Sequence, residues 1–169
     1  LRKMDPAQPG MLDFYREHLA GKDEARWLTI LTDAQRVASS EEQKLQLAIE
    51  LAKTAQDSSV ERAIDAWKAV LRIDPSHPEA PAALKTLYEK TEKWNALVEL
   101  LKGEADRVPD DQPERRVALL RQLIPIYRDK LGLDVMVINT YNAILQLDPG
   151  DAEALDALAA TYESTGRWN

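Results

Sequence analysis

The chain has no cysteine, and among its 169 residues only one phenylalanine, two histidines and six glycines. Without cysteine there is no disulfide and no thiolate metal site, although compartment stays open, since exported proteins can lack cysteine too. The histidines, His18 and His77, stand far apart in the sequence. A metal site needs several converging ligands, so no metal is expected. No apolar run approaches the roughly 18 residues that a spanning helix requires. No leader pattern is visible, but the sequence begins at Leu1 rather than methionine, so a cytoplasmic location is expected and a periplasmic one stays open. Positive charge is also short. The 22 Lys and Arg against 29 Asp and Glu leave a formal charge of −7. That balance argues against nonspecific nucleic-acid binding and anionic membrane surfaces, and it suits solubility and a basic partner. No P-loop, dinucleotide fingerprint or nucleophile elbow is present, so neither a cofactor nor a catalytic residue is expected.

What is present is repetition. The pair Asp-Pro occurs three times, in Met4-Asp5-Pro6, Ile73-Asp74-Pro75 and Leu147-Asp148-Pro149, at spacings of 69 and 74 residues. A tryptophan follows each pair at nearly constant distance: Trp27, Trp94 and Trp168. Recurrence at a fixed period predicts a stack of similar units rather than one globular core.

Alanine, leucine, glutamate, lysine and arginine dominate, and they favour helix. Between Pro78 and Pro109 the residues Ala80, Leu84, Leu87 and Tyr88 recur at three- and four-residue steps. Thr91 and Glu92 interrupt them, and Trp94, Leu97, Val98 and Leu101 begin a second apolar face. This pattern predicts a helical hairpin with a short turn. A first hairpin is expected over 10–38, with Phe14, Tyr15, Leu19, Trp27, Leu28, Leu31 and Val37 inward. Further first helices are expected over about 40–56 and 113–130, and their partners carry Ala63, Trp67 and Val70, and Val137, Tyr141 and Ile144. After Asp148-Pro149, Ala154, Leu155, Leu158, Ala159 and Tyr162 repeat the first-helix face, and Gly166 turns the chain. About nine antiparallel helices and no sheet are predicted. Both ends read as cut within a hairpin, so a piece of a longer array is expected.

These hairpins resemble the tetratricopeptide repeat (TPR) over essentially the whole chain. With Pro109 as the closing proline, Leu84 and Tyr88 fall on the first-helix core positions, and Trp94 on the aromatic position that opens the second helix. With Pro75 so placed, Ala63 and Trp67 match the second-helix alanine and aromatic, and Gly166 matches the turn glycine. There are departures: Glu92 stands where the turn glycine is usual, Leu97 and Val137 replace alanine, and Pro125 lies within the helix expected over 113–130, where it predicts a kink. The resemblance implies an all-α superhelix, a TPR-like solenoid of about four and a half repeats spanning 1–169, similar to large bacterial proteins with many divergent TPRs.

The resemblance also implies a concave groove lined by first helices. That face would present Lys53, Gln56, Thr86, Glu89, Lys90, Arg121, Arg128, Glu153, Asp156 and Glu163, with a cationic middle and an acidic C-terminal stretch. Arg121 and Arg128, seven apart, would share one face and grip a carboxylate. The ordinary alternative is a solvated face laced with salt bridges, which contribute little to stability. The lysine and asparagine pattern of chaperone-binding TPRs is absent. Val135 and Met136 are either a contact patch or covered by the preceding loop. The function expected is a noncatalytic protein-interaction scaffold for a partner peptide or helix. An envelope assembly factor or self-associating rod is the alternative, and an RNA-binding helical repeat a third reading.

Overall fold

The computed structural model describes residues 9–165, so Asp5-Pro6, Gly166 and Trp168 lie outside the described residues. Among those described, the chain is all-α. It has nine α-helices and one π-helical segment, with no strand. The elements are α1 (Pro9–Leu19), α2 (Glu24–Val37), α3 (Glu41–Ala55), α4 (Val60–Ile73), α5 (Ala80–Lys90), α6 (Trp94–Arg107), α7 (Pro113–Pro125), the π-helical segment Ile126–Leu131, α8 (Asp134–Leu147) and α9 (Ala152–Thr165). Successive helices pack together, α2 on α3 and α3 on α4 in one part of the chain, and α6 on α7, α7 on α8 and α8 on α9 in the other. The chain divides into two compact units between Leu87 and Tyr88, within α5.

In the first unit, α3 packs against both α2 and α4. The side chains buried there are Trp27, Leu28 and Leu31 from α2, Leu47, Ala48, Leu51 and Ala52 from α3, and Ala63, Ile64, Ala66, Trp67 and Val70 from α4. Alanines at Ala48, Ala52, Ala55 and Ala63, all fully buried, let the backbones approach closely. Two side-chain bridges join residues 34 apart: the Arg16 fork donates to both Glu50 carboxylate oxygens at 2.8 and 2.9 Å, and Ser58 Oγ donates to Glu24 at 2.9 Å. A 34-residue separation is the TPR period, so equivalent positions of successive hairpins touch. The paired carboxylate pushes the Arg16 pKa up, and the guanidinium lies 5.9 Å from the centre of the Trp27 ring.

The second unit centres on Ile124, Tyr141, Ile144, Ala154 and Leu158, with Val117, Leu120, Val137 and Ile138 packed around them. Here α7 packs on α6 and α8, and α9 on α8.

The Asp-Pro recurrence has a local cause. Asp74 and Asp148 end α4 and α8 with nearly the same backbone, φ −127° ψ 92° and φ −135° ψ 92°. A residue before proline is held in this extended region. Each Asp Oδ1 accepts from the N–H two residues on, Ser76 at 3.0 Å and Gly150 at 3.1 Å. Each carbonyl accepts from the residue three on, His77 and Asp151, both at 3.2 Å. Those two residues then cap the next helix: His77 Nδ1 accepts from Ala80 N at 3.2 Å, and Asp151 Oδ1 from Ala154 N at 2.9 Å. One turn thus stops a second helix and starts the following first helix.

Several expectations need correction. Trp94 is only half-buried, not a core residue, and Lys130 Nζ sits 4.8 Å from its ring centre as a cation–π lid. Phe14 and Val37 are exposed, and Leu12 supplies the buried anchor of α1 instead. No correction is needed on α9, where Ala154 and Leu158 are buried and Leu155, Ala159 and Tyr162 lie exposed. Within the helix expected over 113–130, the hydrogen-bond ladder changes at Pro125, where the kink is expected. Proline has no N–H to donate to the Arg121 carbonyl, and the next turn widens into the π-helical segment. Gly132, at φ 63°, closes that turn by donating to the Tyr127 carbonyl.

Glu92 explains why a turn glycine is usual. It is the one non-glycine with positive φ among the described residues, at 54°, and Gly21 takes φ 73° in the first hairpin turn. Left-handed backbone crowds the Cβ of an L-residue. Glu92→Gly should therefore raise stability by about 0.5–1 kcal/mol, the relieved crowding exceeding the entropy glycine adds to the unfolded chain. A thermal melt checks this; a lower midpoint would show that the Glu92 side chain supports the turn.

Candidate functional site

The ten residues expected on the first-helix face divide between the units: Lys53, Gln56 and Thr86 in the first, the other seven in the second. Five are already engaged. Lys53 Nζ pairs with Glu79 at 2.7 Å, and Thr86 donates to the Ala82 carbonyl of its own helix at 3.1 Å. Arg121 pairs with both Asp151 and Glu153, which ties α7 to the start of α9. Arg128 pairs with its neighbour Asp129 at 2.8 Å, and this carboxylate raises the arginine's pKa while its own is lowered.

Gln56, Glu89, Lys90, Asp156 and Glu163 are exposed, and no side-chain hydrogen bond or ion pair engages them among the described residues. The expected cationic middle is thus neutralised within the chain. Arg121 and Arg128 do not lie seven residues along one straight α-helix, because the π-helical segment opens between them at Ile126. The sequence signal for the pairing was present in Asp151 and Glu153. Reading it required knowing that the turn after Asp148-Pro149 returns beside α7.

Asp151 is the most buried charged group here: its side chain is 6% exposed, against 33% for Arg121. One carboxylate oxygen caps α9 and the other meets the guanidinium, so both are satisfied. The phenol of Tyr127 is pushed up in pKa chiefly by burial. Among the described residues, no group of three or more His, Cys, Asp or Glu is disposed to hold a metal ion. Among the same residues, no helix is long and apolar enough to cross a membrane.

The Lys53–Glu79 pair gives a pH test. The Lys53 ammonium holds the Glu79 carboxyl below the usual glutamate range, first by its hydrogen bond and then by its charge. A carboxylate depressed in the folded state adds stability above its unfolded pKa and loses it as pH falls through the folded value. Both side chains are more than half exposed, so salt should erase most of the effect. Carbon-detected NMR titration should find Glu79 titrating below the usual glutamate range, and Lys53→Gln should return it to that range. An unmoved midpoint would mean that the pair does not persist in solution.

Solved structures of MamA are similar to the chain. One shares 18% identity with a TM-score of 0.46 over 92% of this chain and 85% of that one. A second shares 18% with a TM-score of 0.47 over 93% and 80%. A third, MamA AMB-1, shares 20% with a TM-score of 0.43 over 96% and 91%. No protein-family model and no curated protein sequence matches the chain.

Proposed function

We propose that the chain is a noncatalytic protein-interaction scaffold of the TPR kind, which holds a partner peptide or helix against the first-helix faces of its hairpins. The observation that carries this reading is the set of exposed, unengaged side chains on first helices: Gln56, Glu89, Lys90, Asp156 and Glu163. Side chains held in register by repeated hairpins, yet not spent on the fold, are available to a ligand.

Lys53, Thr86, Arg121, Arg128 and Glu153 stay in the proposed face with their charges and hydroxyl already matched. Of the second-unit residues in this set, what stays uncompensated is three carboxylates, Glu89, Asp156 and Glu163, against Lys90. This face therefore favours a basic partner segment. Selection from displayed peptides with the whole chain as bait should enrich lysine- and arginine-bearing segments. The triple variant Glu89→Lys, Asp156→Lys, Glu163→Lys should bind them at least about tenfold more weakly. An absence of basic peptides among those selected, or basic peptides indifferent to the variant, would refute the assignment.

Self-association is a second reading, favoured by Leu133 and Val135, which are 43% and 68% exposed at the start of α8. Sedimentation of Val135→Asp against the parent over a range of concentrations distinguishes it.

A further inference from the structure

The first unit contains a cleft of about 600 Å³ between α2 and α4, with α3 beneath. It is lined mainly by the second helices α2 and α4. Ligand clefts span roughly 300–1,000 Å³, so its size suits a short segment. The floor is small and apolar, made by Leu51, Ala66, Ala69 and Ile73. Around it stand four cations, Arg36, Lys44, Arg62 and Arg72, against two anions, Asp33 and Asp65. In a chain of net charge −7 this is a local reversal of sign.

The cations are not equivalent. Arg36 faces Asp33 of its own helix at 3.6 Å, and Lys44 faces Glu41 at 2.8 Å. Arg62 and Arg72 are exposed and have no hydrogen-bonding or ion-pair partner among the described residues. Ten residues separate them on α4, about 15 Å along the helix axis at 1.5 Å per residue. Ala66 and Ala69 lie between them. The hydroxyls of Thr29 and Thr32 donate to the Ala25 and Leu28 carbonyls at 2.9 and 2.7 Å. Their protons are spent within α2, which leaves the guanidinium groups as donors to an anion.

We infer that this cleft docks an extended acidic segment of a partner protein, with one carboxylate at Arg62, another at Arg72 and an apolar side chain over Ala66 and Ala69. At roughly 3.3 Å per extended residue, about 15 Å is four to five positions. Arginine forks suit carboxylates, and the small floor admits a branched side chain between them. A nucleic-acid strand fits poorly, because its regularly spaced phosphates would meet Asp33 and Asp65. A peptide can place neutral residues there.

The test is fluorescence anisotropy of the whole chain with two labelled peptide pools. One has two glutamates five positions apart with a leucine between and Gly, Ser or Ala elsewhere; the other has lysine in place of each glutamate. The glutamate pool should bind, weaken with added salt, and lose at least about tenfold on Arg62→Glu with Arg72→Glu. The lysine pool should prefer that double variant. Ala69→Phe, which fills the floor and leaves the charges, should also weaken the glutamate pool at least about tenfold. Glu89→Lys, Asp156→Lys and Glu163→Lys should leave it unchanged, which separates this surface from the first-helix face. Thermal melts of the variants should match the parent, since the altered side chains hold nothing in place.

No binding of the glutamate pool, or no loss in the double variant, overturns the inference. So does self-association that the double variant abolishes, which would make a second copy the occupant. Salt-sensitive binding of single-stranded DNA lost in the same variant would also overturn it, by making the cleft a polyanion site.

Discussion

Trp67→Ala should lower the stability of the chain by about 3–5 kcal/mol, the range for emptying a buried aromatic site. Trp67 is 1% exposed and packs within the α3–α4 hairpin, where Ala63, Ala66 and Val70 of its own helix are also buried. Alanines nearby are already at minimum size and cannot expand into the vacated space, so the cavity persists. The indole Nε1–H is buried without an acceptor, and His77 lies beside the ring at 5.9 Å between centroids. An unpaired donor costs roughly 1–3 kcal/mol, so the ring is retained for its area despite that group. Trp67→Phe removes the donor and part of the volume, and should cost less than half as much as alanine. Val135→Ala, at a side chain 68% exposed, should stay within about 0.5 kcal/mol of the parent. Circular dichroism melts of the three variants check the order. A Trp67→Ala protein as stable as the parent would contradict the packing of the first unit.

The second large effect is expected at Arg121. Its removal leaves the nearly buried Asp151 carboxylate without its counter-ion, although the cap on Ala154 N survives. Breaking a fully buried pair costs 3–5 kcal/mol, but Arg121 is a third exposed and water screens part of the loss. Arg121→Ala should therefore cost about 2 kcal/mol. Asp151→Asn keeps a good capping side chain and removes the charge, so it should cost less. In a double-mutant cycle the two substitutions should couple by more than about 1 kcal/mol. Amide exchange should locate the loss in α9. Additive effects would mean that the pair is incidental. Arg121 thus links two helices before it can meet any partner.

The helices were legible because burial imposes a period. Leu84 and Tyr88 on α5, Leu97 and Leu101 on α6, and Ala63 and Trp67 on α4 are all buried, as their spacing required. Glu92 was legible as a departure, and its φ of 54° shows which backbone conformation the usual glycine serves. What the sequence hid was set by contacts between elements. Trp94 occupies the expected register but is covered by Lys130, whose position depends on the π-helical turn after Pro125. Arg121 reads as a free cation until the turn at Asp148-Pro149 brings Asp151 and Glu153 beside it. The basic cleft draws on α2, α3 and α4 together, and on each helix alone its arginines look like ordinary solvated charges.

The most direct measurement of the scaffold claim is amide chemical-shift mapping of the whole chain with a peptide selected from display. The account predicts saturable shifts clustered at Glu89, Lys90, Asp156 and Glu163, lost together in the triple lysine variant. Shifts confined to the second helices α6 and α8, or no saturable shift with any selected peptide, would contradict it.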